Sequence, residues 1–98
     1  MKTLQEILAI LRRNLPELSE HYNVTAIGVF GSVARGDQIA TSDVDILVDL
    51  RPPVGWEIVH LQMRLEELLG LKVDLVTHNA VMRKPLLWRS IEEDLVYA

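Results

Sequence analysis

Two aspartates, Asp43 and Asp45, stand two residues apart at the head of the strand-like stretch Asp43–Leu50. On an extended strand that spacing puts both carboxylates on one face, with Cβ atoms about 6–7 Å apart. Such a pair can chelate one divalent cation or bridge two metals about 4 Å apart. An isolated Asp-x-Asp is more often solvent-facing surface, because two like charges on one strand face repel and forgo apolar burial. Three further features favour chemistry. Gly31-Ser32 directly follows the apolar run Asn23–Phe30. Glycine lets backbone approach a ligand closely, and Ser32 offers an amide and a hydroxyl to phosphate oxygens, although a Gly-Ser pair alone is commonly a turn. Ten residues separate Ser32 from Asp43, enough for a short helix and a turn before the chain returns beside the first strand. Asp74 interrupts Val73-Leu75-Val76, where burying an unpaired carboxylate would be costly; a metal shared with Asp43 and Asp45 would compensate for it. A phosphate cradle followed by carboxylates able to hold metal is what nucleotidyl transfer requires.

The elements around these residues read as alternating helix and strand. Leu4, Ile7, Leu8, Leu11 and Leu15 form one apolar stripe, Thr3 with Glu6 fits a capping box, and Pro16 is expected to end this helix by disfavouring helical backbone at Leu15. Strands are predicted over Asn23–Phe30, Asp43–Leu50 and Lys72–Thr77, from β-branched density and alternation. In the second, Val44, Ile46 and Val48 face one way, and Asp43, Asp45, Leu47 and Asp49 the other. A short helix fits Val33–Gly36, a second amphipathic helix Trp56–Leu69 with Gly70 at its C′ position, and a last helix begins near Pro85 and runs to Glu93 or Asp94. The order α-β-α-β-α-β-α predicts a single-domain α/β fold over residues 1–98, without fixing strand order or direction.

Composition excludes several classes of function. The 98 residues contain no cysteine, so disulfides, thiolate metal sites and cysteine nucleophiles are ruled out. A net charge of −4 with no basic block argues against extended nucleic-acid binding, although a polyphosphate can still bind through a divalent metal. No apolar run approaches the ~20 residues that span a bilayer, and MKTLQEIL lacks a signal-peptide core. A cytoplasmic protein with no membrane association is expected.

The segment GSVARG…SDVDILV resembles the Gly-Ser-x10-Asp-x-Asp signature of the polymerase-beta-type nucleotidyltransferase superfamily, and the short chain resembles its minimal branch. The resemblance implies a short mixed sheet flanked by about four helices. It implies that Gly31 and Ser32 hold the triphosphate of ATP, and that Asp43, Asp45 and Asp74 ligate Mg²⁺ and help activate an incoming hydroxyl. It further implies an antitoxin that neutralises a partner HEPN-type toxin by moving AMP from ATP to a toxin tyrosine, and so a possible hetero-oligomer with that toxin. Two other functions fit the same residues: stoichiometric binding with an idle site, and the catalytic subunit of a small-molecule nucleotidyltransferase.

Other residues have weaker claims. Arg35 follows the cradle by three residues and can reach a phosphate; Ser42 can hydrogen-bond near the metal or simply start the strand. Asp49 sits too far along the strand from Asp45, and Arg83 with Lys84 reads as a surface pair before a helix. His21, His60 and His78 have no metal-ligand spacing. Trp56 and Trp88 are expected as core or interface anchors, with Leu86 and Leu87 as further interface candidates.

Overall fold

A computed structural model describes residues 2–98. Helix α1 (Leu4–Arg13) opens as its capping box requires. The Thr3 hydroxyl accepts the Glu6 amide proton at 3.2 Å, while the Thr3 amide donates to Glu6 Oε1 at 3.1 Å. Its stripe buries Ile7, Leu8 and Leu11. The chain does not leave helix for good at Pro16, as the sequence suggested. Asn14 breaks the run, and α2 (Leu15–Tyr22) starts with Pro16 in its first turn, where a missing N–H costs nothing.

Strand β1 (Val24–Phe30) feeds the five-residue helix α3 (Gly31–Arg35), and a loop returns the chain into β2 (Val44–Leu50). Helix α4 (Glu57–Leu69) crosses to β3 (Val73–Thr77). The short α5 (His78–Met82), then α6 (Pro85–Asp94) and the two-residue β4 (Val96–Tyr97) complete the chain. The sheet order is β3-β2-β1-β4, with β1 antiparallel to β2 and β4, and β2 parallel to β3. The sheet is mixed, as expected, but six helices surround it, because α2 and α5 join those that periodicity revealed.

The alternation in β2 divides the interior. Val44, Ile46 and Val48 pack with Ile27 and Val29 against the buried stripes of α1, α2 and α4, including Leu18, Leu61, Leu65 and Leu69. On the other face Leu47 meets Val81 and Ile91 in a smaller cluster, bordered by Phe30, Val76 and Trp88. The carboxylates of β2 share this second, thinner face. Trp88 therefore anchors a core edge, and His78 meets its ring edge-on at 5.1 Å between centroids. Trp56, by contrast, is 79% exposed and anchors no core, and Leu86 is also largely exposed. No helix among the described residues is long and apolar enough to cross a membrane.

Both ends of the sheet are held by short-range devices. At β3, the Val73 amide donates to Glu66 Oε2 at 3.0 Å, and the Val73 carbonyl accepts from Gln62 Nε2 at 3.1 Å. Two α4 side chains thus occupy backbone groups that an edge strand leaves open. At the other end Gly28 lies opposite Tyr97, and a Cβ at Gly28 would stand 2.8 Å from Leu95 Cδ1 and 3.0 Å from the Val96 carbonyl oxygen. Gly28→Ala should therefore loosen the C-terminal segment and lower unfolding free energy by about 1–3 kcal/mol in urea titration. An unchanged midpoint would contradict close docking of β4 on β1.

Candidate functional site

The site forms where β1 ends and β2 and β3 begin. After Phe30 the chain takes a left-handed turn at Gly31, with φ of 75°, and enters α3 at once. Antiparallel pairing sets Phe30 opposite Asp45, and parallel pairing sets Asp45 beside Asp74. Asp45 is therefore central: its carboxylate lies against the bare Cα of Gly31 and next to the Asp74 side chain. A Cβ on Gly31 would overlap Asp45 Oδ2 and stand 3.1 Å from its Cγ. Here glycine is required twice, for its backbone angle and for the space it leaves.

Asp45 is partly buried, and its carboxyl is pushed up to about 6. Burial is the largest cause, followed by the charge of Asp74, a hydrogen bond with Asp74 and the charge of Asp43, while Arg35 acts weakly in the opposite sense. Asp43 is exposed and immediately precedes β2, which starts at Val44 rather than at Asp43. Asp74 is also exposed, so the argument from the cost of burying it does not hold. What ties Asp74 to the site is its register with Asp45.

An all-oxygen set of closely spaced carboxylates suits a hard divalent cation. Among the described residues, no three His, Cys, Asp or Glu side chains converge enough to hold an ion by themselves. That geometry still fits Mg²⁺, which commonly takes one or two carboxylates and completes its shell with substrate phosphates and water. The pairing of Asp45 with Asp74 across β2 and β3 is the feature in its favour, since burial first, and then the neighbouring carboxylates, disfavour a bare charge at Asp45 that a cation would offset.

The remaining candidates are placed as follows. Ser32 is half-buried in α3, its carbonyl accepts the Asp37 amide proton at 3.0 Å, and its hydroxyl makes no hydrogen bond among the described residues. Ser42 Oγ accepts the Ile39 amide proton at 2.9 Å and so holds the loop turn. Arg35 donates from Nε to Asp37 at 3.2 Å and from Nη1 to Asp94 at 2.7 Å. Sequence reading passed over both of these partners. The available signal was Glu92-Glu93-Asp94, an acidic run at the end of a helix with no basic residue in its last turn. Asp49 lies at the far end of β2, opposite Ala26. Arg83 and Lys84 are exposed between α5 and α6.

A cleft of about 880 Å³ opens elsewhere, between the ends of α2 and α4 and the segment after β2, and takes in His21, His60 and Trp56. Asp43, Asp45 and Asp74 do not line it. Of the carboxylates at the strand ends, Asp43 and Asp74 are exposed and Asp45 is half-buried.

This fold, with a glycine-cradled carboxylate cluster at the strand ends, defines a nucleotidyltransferase. The chain belongs to the nucleotidyltransferase-domain family, whose model matches residues 8–98. Within it the chain falls in the minimal branch. It is 48% identical over 98 residues to a proposed protein adenylyltransferase of Methanocaldococcus jannaschii, covering 99% of each chain. It is 43% identical over 98 residues to the protein adenylyltransferase MntA of Thermococcus cleftensis, covering 99% of this chain and 97% of that one. Among solved structures, a proposed minimal nucleotidyltransferase superposes with a TM-score of 0.78 at 29% identity, over 97% of this chain and 95% of that one. A toxin–antitoxin structure with AMP-PNP matches with a TM-score of 0.65 at 25% identity, over 98% of this chain and 72% of that one.

Proposed function

We propose that this protein is an antitoxin that transfers AMP from ATP to a tyrosine hydroxyl of a cognate HEPN-type toxin in the cytoplasm. The observation that carries this reading is the register of Asp45 with Asp74 on one side and its packing against Gly31 on the other. One carboxylate cluster and one phosphate cradle thereby meet at a single point. Support for the protein acceptor comes from the adenylyltransferase relatives, and support for the toxin from the toxin–antitoxin neighbour. The tyrosine and the HEPN identity rest on the sequence signature.

In this reading the Gly31 turn brings backbone amides of α3 to the triphosphate, and the unbonded Ser32 hydroxyl donates to a phosphate oxygen. Asp43, Asp45 and Asp74 would offer ligands to Mg²⁺, one or two at a time with phosphate and water completing the shell, and the ion would supply charge to offset the α-phosphate and the departing pyrophosphate. Asp43 and Asp74 are both exposed, and in this reading they would meet the arriving acceptor hydroxyl. Arg35 adds a cation beside the cradle. Ser42 serves the site indirectly by holding the loop that delivers Asp43.

The test is label transfer from α-labelled ATP to the co-expressed toxin. Asp43→Ala should reduce transfer by about 10³-fold, the scale on which metal-held charge acts on a phosphoryl barrier. Undiminished transfer would remove Asp43 from the machinery. Full neutralisation of the toxin by this inactive variant would instead favour stoichiometric binding.

A further inference from the structure

Arg35 is the residue through which α6 reaches the nucleotide site. Its guanidinium leaves the end of α3, four residues after Gly31, and its charge acts to lower the Asp45 carboxyl slightly. Two carboxylates fix it: Asp37 takes Nε at 3.2 Å, and Asp94 takes Nη1 at 2.7 Å. Among the described residues Nη2 donates to nothing, which leaves one edge of the guanidinium available.

Two physical oddities surround this arrangement. The ion pairs are exposed on the arginine side, at 49% of its side chain, and pairs of that kind contribute little to stability. Asp94 also occupies the last position of α6, behind Glu92 and Glu93, where the helix dipole disfavours negative charge. A residue placed against the dipole, in a pair of small stabilising value, is better explained by what it orients. Asp94 is itself well placed to orient, being only 19% exposed in its side chain and separated by Leu95 alone from β4, which is paired to β1. Strand β1 leads directly into Gly31, so the acid and the cradle share one rigid frame.

We propose that Asp94 is a positioning residue that holds the Arg35 guanidinium with its Nη2 edge turned toward the triphosphate of the bound nucleotide. This rests on Gly31–Asp45 being a nucleotide site. Asp94 keeps Nη1, the nucleotide takes Nη2, and the planar fork transmits the position of α6 to the phosphates. Asp37 supports the same geometry from the loop, but less firmly, because its side chain is 60% exposed.

Calorimetric titration of a nonhydrolysable ATP analogue with Mg²⁺ tests the proposal in four proteins: wild type, Arg35→Ala, Asp94→Ala and the double variant. Loss of a charge-assisted contact predicts about 30-fold weaker binding for Arg35→Ala and about 5-fold weaker for Asp94→Ala. The double variant should bind no more weakly than Arg35→Ala alone. Asp94→Asn, which keeps an acceptor oxygen while changing the fold least, should lie between wild type and Asp94→Ala. In the transfer assay the Asp94 variants should raise KM for ATP with kcat little changed. Wild-type affinity in both Asp94 variants would overturn the proposal. So would a full Asp94→Ala effect persisting without Arg35, or tighter binding by Asp94→Ala, which would mean that Asp94 competes for the guanidinium. If wild type binds no nucleotide, the nucleotide-site reading itself falls, and this proposal with it.

Discussion

Asp45→Asn should abolish nucleotidyl transfer while raising the melting temperature of the metal-free protein. The two effects share one cause. Asp45 is held among Asp43, Asp74 and partial burial, and its carboxyl is pushed up to about 6. The folded chain therefore holds that proton more tightly than the unfolded chain, in which an aspartate titrates near 4. Between those values the folded state binds more protons, so stability falls as pH rises through the window, and the full penalty stands above about 6. Asparagine removes the penalty at every pH. Wild type in chelator should accordingly gain from this group when pH is lowered from 8 to 5, and Asp45→Asn should lack that gain. Added Mg²⁺ should stabilise wild type at pH 8 and leave the variant nearly unmoved. Transfer should drop by at least about 10³-fold, since the variant loses a charge at the centre of the proposed metal site. Thermal melts at both pH values, with and without Mg²⁺, check the first part, and labelled ATP the second. A variant that melts below wild type at pH 8 in chelator would show that the carboxylate is not under repulsion.

Gly31→Ala should separate the cost to function from the cost to stability. The left-handed backbone at Gly31 costs an L-residue about 1–2 kcal/mol, and this cannot be relaxed without moving the turn. The added methyl would also collide with Asp45 Oδ2. That atom ends a short side chain that can rotate, so the collision is relieved by turning the carboxylate away from Asp74 and from the cradle. Stability should then fall by about 1–2 kcal/mol, the backbone term, while transfer falls by about 10²-fold or more because a displaced ligand misplaces everything it holds. Removing the obstacle tests this directly. In an Asp45→Ala background, where no carboxylate blocks the methyl, the same glycine substitution should cost the backbone term alone in urea titration. Equal stability of Gly31→Ala and wild type in urea titration would contradict the strained backbone.

The parts of the fold that were legible in the sequence are those with long periodic signals. Helices α1 and α4 carry apolar stripes, and β1 and β2 carry alternation and β-branched density, so each was placed within a residue or two. Helix α2 was hidden because proline is read first as a terminator, whereas here it starts the next helix. Helix α5 spans only His78–Met82, and β4 only Val96–Tyr97, too short for any period to register. At the site, Gly31 and Asp45 stood out by type and spacing. Their contact did not, because it depends on strand register. Asp74 was singled out for a burial it does not have, and pairing with Asp45 is the better reason to keep it. The partnership of Arg35 with Asp94 spans 59 positions, and no local pattern could reveal it.

Gln62 and Glu66 give the Val73 edge a further significance. By answering the open donor and acceptor of Val73 with side chains of its own, α4 blocks the first pairing position of that edge to a neighbouring strand. The far edge offers only the two residues of β4. Backbone edges are the least selective adhesive a sheet has, and a chain that leaves them open is liable to adhere to copies of itself. With the Val73 position taken, contact there falls to side chains, which are more selective than backbone.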